Sequence, residues 1–361
     1  MAGPLSGIRI VELAGLGPVP FAGMMLGDHG AEVIRVDRPG ASFNNKDPLL
    51  RSRKSVVLDL KSEDGKQALR DLIAGADALM EGFRPGVMDR LGFGPDEMLA
   101  LNPKLVYARM TGWGQDGPWA SMAGHDINYI ALSGALHPIG RAGERPVPPL
   151  NLVGDFGGGA MMLCFSLVSA LLNVRSGGEG QVIDCAMTDG SALLTNMMWG
   201  FRAFDRWEDE RGVNLLDSGA PFYDTYETAD GKYLSLGPIE PQFYARFCEL
   251  AGIADDPAFA VQNDRSRWPE QKKAMAKVIA GRTRDEWAEI MVESDACVAP
   301  VLDWTEAPAH PHNVARGTFL ELDGVMQAAP APRYSRTTLD RPNPPREPGS
   351  DQSLLQEASR K

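Results

Sequence analysis

The stretch Ile8-Arg9-Ile10-Val11-Glu12-Leu13, a turn through Gly15-Leu16-Gly17-Pro18-Val19-Pro20, and the run Glu32-Val33-Ile34-Arg35-Val36 decide the fold. The first and last are short, mostly apolar and rich in β-branched residues, as buried strands are. Residues 20–29 between them read as a helix. Two strands joined by a crossover helix pair in parallel. The pattern recurs: residues 55–58, 78–81, 105–110 and 181–184 read as strands, and residues 62–74 as a helix. Residues 157–174 predict a long apolar core helix, and residues 186–204 a further, Met-rich helix. Strands alternating with helices make an α/β, doubly wound, mostly parallel, Rossmann-like sheet.

The pattern changes after Asp217. Residues 222–227 and 232–236 flank Ala229-Asp230-Gly231, a hairpin signal. Helical patterns follow at residues 269–279 and 284–292, the second opened by Thr283 and Glu286 at capping-box spacing. The expected organisation is a large domain (1–190), a linker helix region (191–222), a smaller α+β domain (223–320) and a C-terminal return segment (321–361). Residues 341–349 are proline-rich and are expected to wrap the surface.

The chain has 361 residues, 43% hydrophobic and 23% charged, with net charge −12. An acidic chain of this kind is not a general nucleic-acid binder. The four cysteines are widely spaced, with no Cys/His pairing that would hold zinc, so no metal site is expected and free thiols in a reducing compartment are. Residues 1–7 lack the basic and apolar regions of a secretory signal. The longest apolar run, residues 160–172, is too short to span a bilayer and reads as core. A cytoplasmic protein without membrane association is the expectation.

Three groups of residues carry candidate chemistry. The turn at residues 15–20 suggests a dinucleotide-binding loop, with Asp37 ending the second strand. However, Pro18 and Pro20 remove the N–H donors that would hold a pyrophosphate, so a plain strand-to-helix turn is the better reading. A basic group comes next: Arg35, Arg38, Arg51, Arg53, Lys54, Lys61, Arg84 and Arg90. Residues 31–90 hold 11 Lys+Arg against 10 Asp+Glu in an otherwise acidic chain. Such a group is either solvated surface or the site of a polyanionic small ligand, since guanidinium forks suit phosphate. The third group is His125, after Gly124 and before Asp126 and Asn128, together with Asp155, between Gly154 and Gly157-Gly158-Gly159. Each precedes an expected helix, and each could be structural, His125 hydrogen-bonded and Asp155 a cap. Each also pairs a proton carrier with close backbone approach and helix N–H donors. Glu240, between two prolines, is a helix-start charge or the partner of an active-site base. Met187, Met197 and Met198 read as core filler or as a pliable acyl-binding surface.

At this point the chain resembles the family III CoA-transferases, and within that family the branch of α-methylacyl-CoA racemases. The resemblance runs nearly end to end and is carried by residues 7–13, 81–87, 107–115, 124–129 and 154–159. His125 marks the racemase branch, since transferases carry a non-basic residue there; Phe83 departs from a more usual Tyr. The resemblance implies the family III fold as an interlocked homodimer, with the site between one subunit's large domain and the other's small domain. It implies epimerisation of 2-methylacyl-CoA by 1,1-proton transfer, with His125 and Asp155 as the two bases. Glu240 would support His125, and the Asp126 backbone N–H would receive the thioester oxygen. Arg38, Asp59, Lys61, Glu81, Gly82, Arg84, Arg90 and Gly124 would line the CoA groove, while Tyr223, Met187 and Met198 would meet the acyl side. No cofactor is implied, CoA being part of the substrate. The rival readings are a CoA-transferase, with Asp155 as nucleophile, and a non-catalytic acyl-CoA binder.

Overall fold

The computed structural model describes residues 2–360. Contacts divide the chain into two units. One contains the residues up to Ala135, Pro149–Thr195 and Pro311 onward; the other contains Leu136–Pro148 and Asn196–His310.

The first unit runs β1 (Arg9–Leu13), α1 (Pro18–Asp28), β2 (Glu32–Asp37), β3 (Arg53–Val57), α2 (Glu63–Ala74), β4 (Ala78–Glu81), α3 (Val87–Leu91), α4 (Pro95–Leu101), β5 (Val106–Thr111) and α5 (Asp126–Leu132). It resumes with a wide-turn π-helix (Leu152–Met161), α6 (Met162–Arg175), β6 (Gln181–Ala186) and α7 (Met187–Leu194). The six strands form one sheet in the order β3-β2-β1-β4-β5-β6, and every neighbouring pair is parallel. This is the expected doubly wound arrangement. Its order reverses between β1 and β4, and such sheets bind ligands at the carboxyl ends of the strands at that point.

Alternation along each strand separates two cores. Ile10, Val33, Met80 and Ala108 face one side, against Val19 and Leu26 of α1 and Leu163 and Leu167 of α6. Val11, Ile34, Leu79 and Tyr107 face the other, against Leu69, Leu72 and Ile73 of α2. Each such large side chain, fully buried, stabilises the fold by about 1.5–3 kcal/mol.

The second unit holds α8 (Asn196–Ala203), β7 (Asp224–Glu227), β8 (Tyr233–Leu236), α9 (Pro241–Ala251), α10 (Trp268–Ile279), α11 (Arg284–Met291) and β9 (Val298–Pro300). The β7–β8 hairpin forms as expected, and β9 adds a third antiparallel strand that the sequence reading missed. Thr283 and Glu286 make the expected reciprocal cap. The chain returns to the first unit through α12 (Pro311–Arg316), the β10 (Phe319–Leu322) and β11 (Val325–Ala328) hairpin, and α13 (Leu354–Ala358).

The tail does more than wrap the surface. It pairs along β3, which forms one edge of the sheet: Ser52 N–H donates to Asn343 O, Asp351 N–H to Ser55 O, and Gln352 exchanges two bonds with Val57. An edge strand that is covered in this way no longer offers open pairing groups.

Four expectations need correction. The helix expected at residues 186–204 is two helices, broken at Thr195, where the chain passes from one unit to the other. The second unit starts at Asn196 and takes in residues 136–148, whereas the small domain was expected to begin at 223. Local bonds explain this: Arg211 donates to His137 O, and Arg141 is bound to Asp224. The helix expected from residue 157 begins at Leu152 and opens with wide turns, which places Asp155 inside a helix. Its continuation to Arg175 makes 24 residues, long and apolar enough by length and composition alone to cross a membrane. Leu163, Leu167 and Leu171 are nevertheless packed into the core of the first unit, while Met161, Phe165, Val168 and Leu172 are exposed along another face.

The fourth correction concerns the basic group. Arg35, Arg51 and Arg53 are buried and paired, Arg35 with Asp37 at 2.9 Å, Arg51 with Asp28 at 2.5 Å and Arg53 with Glu12 at 2.7 Å. Lys54 pairs with Glu32 at 2.5 Å. A guanidinium paired in the interior is a fold element, not a ligand contact.

Candidate active site

A cleft of about 260 Å³ opens in the first unit at the point where the strand order reverses. Leu16, Pro18 and Val19 reach it from the end of β1, and Gly82, Phe83 and Arg84 from the end of β4. Met110 to Trp113 enter from the end of β5, Met187 from the end of β6, and Gly124, His125 and Tyr129 complete it. Six residues expected from sequence therefore meet here directly or through neighbours: Gly82, Arg84, Gly124, His125, Met187 and, by the bond described next, Asp155.

His125 is the N-cap of α5. Its backbone is extended (φ −133°), its own N–H donates to Asn128 Oδ1 at 3.0 Å, and its side chain is exposed. The N–H groups of Asp126 and Ile127 precede the first helical bonds, in which the Asn128 and Tyr129 N–H groups donate to His125 O, and they lie at the positive end of the helix dipole. The Asp126 carboxylate turns the other way. It is buried, and its Oδ2 accepts from the Asp155 N–H at 2.7 Å. Burial raises the Asp126 pKa, and the nearby Asp155 charge adds to this, while hydrogen bonds from the backbones of Asp155 and Gly154 oppose it.

Asp155 is partly exposed, and its Oδ2 accepts from Asn151 Nδ2 at 3.1 Å. The wide-turn helix can lie against α7 only because both are glycine there. A Cβ on Gly190 would stand 1.8 Å from Gly158 O. The turn after β1 passes close by: a Cβ on Gly17 (φ +67°) would lie 3.2 Å from Asp155 Oδ2. That positive φ fits the strand-to-helix turn preferred over a dinucleotide loop.

Of the expected groove residues, Arg38, Lys61, Arg84 and Arg90 are exposed. Asp59 is exposed and shapes the start of α2 by accepting from Lys61 and Ser62 N–H groups. Glu81 is buried at the end of β4. It accepts from the Phe83 N–H at 2.6 Å and pairs with Arg109 at 3.3 Å, and burial raises its pKa.

Glu240, Tyr223 and Met198 lie in the second unit. Glu240 is the exposed N-cap of α9. Tyr223 and Met198 line a cavity of about 910 Å³ with Ile139, Val147, Trp207 and Leu216.

The sequence reading missed Asn151, the Asp126 carboxylate and the aromatic group Trp113, Trp119 and Tyr129. Asn151, the N-cap four residues before Asp155, carried a readable spacing. The aromatics meet only in three dimensions: Trp113 lies edge-on to Tyr129 at 4.7 Å and to Trp119 at 5.0 Å.

The profile of CoA-transferase family III matches residues 5–352, and the chain belongs to that family. It is 49% identical over 335 residues to alpha-methylacyl-CoA racemase of Mus musculus, covering 92% of this chain and 87% of that protein. The corresponding human protein, also alpha-methylacyl-CoA racemase, is 46% identical with the same coverage. A CaiB/BaiF family protein from Brucella suis superposes with a TM-score of 0.83, over 99% of this chain and all of that one. At 24% identity, that likeness concerns the fold alone.

Proposed function

We propose that this protein epimerises the 2-methyl stereocentre of 2-methylacyl-CoA thioesters. The observation that carries this reading is that His125 and Asp155 are both tied to the start of α5. One caps α5 in the cleft, and the other is tied to the same helix start through Asp126. The racemase relatives support it.

In this mechanism the thioester carbonyl lies at the start of α5, with the Asp126 N–H donating to its oxygen. One base takes the proton from Cα, and the C–H electron pair moves into a planar enolate. Donors held at a helix start stabilise the developing oxyanion without reorganising. The conjugate acid of the other base then returns a proton to the opposite face. Arg84, Arg90, Arg38 and Lys61, all exposed cations, hold the CoA phosphates, with Asp59, Glu81, Gly82 and Gly124 shaping the groove. Met187, which lines the cleft, meets the acyl chain. The reaction needs no resident cofactor or metal, CoA being part of the substrate.

We assign the working form to a homodimer. The exposed stripe Met161, Phe165, Val168 and Leu172, spaced as one helix face, is the apolar surface a second copy would cover. A cytoplasmic location and no membrane association follow as parts of the same reading.

The test is α-proton exchange in D2O with purified protein and a 2-methylacyl-CoA. Either epimer should gain one deuterium at Cα and convert to the other, and His125→Ala should abolish both. Neither exchange nor epimerisation in the wild type sinks the proposal. Trapping of an acyl or CoA adduct on Asp155 by hydroxylamine or borohydride would replace it with acyl transfer through an anhydride.

A further inference from the structure

We propose that Tyr129 is a positioning residue for His125, an inference that rests on the racemase reading. Tyr129 sits one turn into α5 with 8% of its surface exposed, and its hydroxyl donates to the carbonyl of Gly124, the residue before His125. That bond closes a loop from the helix body back to the peptide that enters its first turn. The same peptide is held from the other side, where the His125 N–H donates to Asn128 Oδ1.

The ring is locked as tightly as the hydroxyl. A Cβ on Gly112, at the end of β5, would stand 2.1 Å from the Tyr129 ring, and one on Gly124 would stand 2.7 Å from it and 2.9 Å from Trp113. Both positions therefore need glycine for the ring to fit where it does. Trp113 closes the third side edge-on at 4.7 Å. Burial, reinforced by the nearby Asp155 charge, raises the phenol pKa, so the hydroxyl remains a donor at neutral pH.

The His125 carbonyl accepts from the Asn128 and Tyr129 N–H groups, but its side chain makes no bond to the helix. What aims its imidazole is the Gly124–His125 peptide, and Tyr129 clamps that peptide to the sheet. A base displaced by a fraction of an ångström loses rate while binding is retained.

Tyr129→Phe removes only the hydroxyl. The expected result is a kcat for α-proton exchange lowered about 10-fold or more. KM for the thioester should be unchanged, and thermal unfolding should remain cooperative. The His125 imidazole resonance, assigned by its absence in His125→Ala, should broaden or move. An unchanged kcat with an unchanged resonance overturns the inference. So does a Phe variant that fails to fold, or one that loses kcat, KM and melting temperature together, since these assign the residue to packing alone. The resonance is independent of turnover: if the wild type shows no exchange, the racemase reading fails and the imidazole signal still decides the role of Tyr129.

Discussion

The Asp155 backbone N–H donates to Asp126 Oδ2 at 2.7 Å, which joins the helix capped by His125 to the helix that carries Asp155. Two proton carriers 30 positions apart in the chain are thereby held to one helix start. Asp126→Ala leaves that N–H without its acceptor, at a cost of roughly 1–3 kcal/mol in stability. It also frees the start of the Asp155 helix. Exchange at Cα should fall in both directions while CoA binding persists, as measured by deuterium incorporation beside calorimetry. Full activity in this variant would contradict the tether.

The same carboxyl predicts a pH effect of definite sign. Burial raises its pKa above the ordinary value of 3.8, so in the window just above 3.8 the folded chain holds a proton that the unfolded chain has released. Stability from this group therefore falls as pH rises through that window. Asp126→Asn removes the titration. The wild type should gain stability relative to Asp126→Asn as pH is lowered through the window, read from paired denaturant curves. Parallel curves would contradict the raised pKa.

The arginines should separate into two kinds. Arg53→Ala strands the buried Glu12 carboxylate and should destabilise the fold by roughly 3–5 kcal/mol. Arg84→Ala and Arg90→Ala remove exposed cations, so melting should barely change. Lost charge-assisted bonds of about 1.5–3 kcal/mol should weaken CoA-thioester binding roughly tenfold to a hundredfold. Titration calorimetry at two salt concentrations checks this.

Two glycines on neighbouring helices should respond oppositely. Gly190→Ala drives a methyl into Gly158 O and displaces the Asp155 helix, so both stability and exchange should drop. Gly200→Ala meets nothing within 4 Å inside a helix and should be neutral or stabilising by about 0.5–1 kcal/mol. Thermal melts of the two variants make the comparison.

The apolar stripe on α6 and the turn before it tests the proposed dimer. Phe165→Glu, at a site 70% exposed, should leave the fold intact and shift the mass in sedimentation equilibrium from dimer to monomer. A variant that stays dimeric would place the interface elsewhere.

Much of this was legible in the chain. Strand-length apolar runs gave the parallel sheet, and Gly124-His125-Asp126 announced a helix start with a proton carrier beside it. Periodicity alone could not tell which of eight basic residues are free. Arg53 and Arg84 look alike in sequence, but Arg53 finds Glu12 on β1, 41 residues away, whereas Arg84 is exposed and makes no ion pair among the described residues. The close seat of the Leu152–Met161 helix on Gly190 was equally hidden, because Gly158 and Gly190 lie far apart along the chain.

The sequence by itself determined the alternation of strands and helices, the glycine-flanked His125 and Asp155, and the family. These depend on residue type and on neighbours close along the chain. Only the tertiary structure decided that Asp126 ties Asp155 to the helix start of His125, that Gly112 and Trp113 lock the ring of Tyr129, and that three of the eight basic residues are interior. These rest mainly on contacts between segments well separated in sequence, such as Asp126 with Asp155 and Arg53 with Glu12, which form only once the sheet has brought its strand ends together.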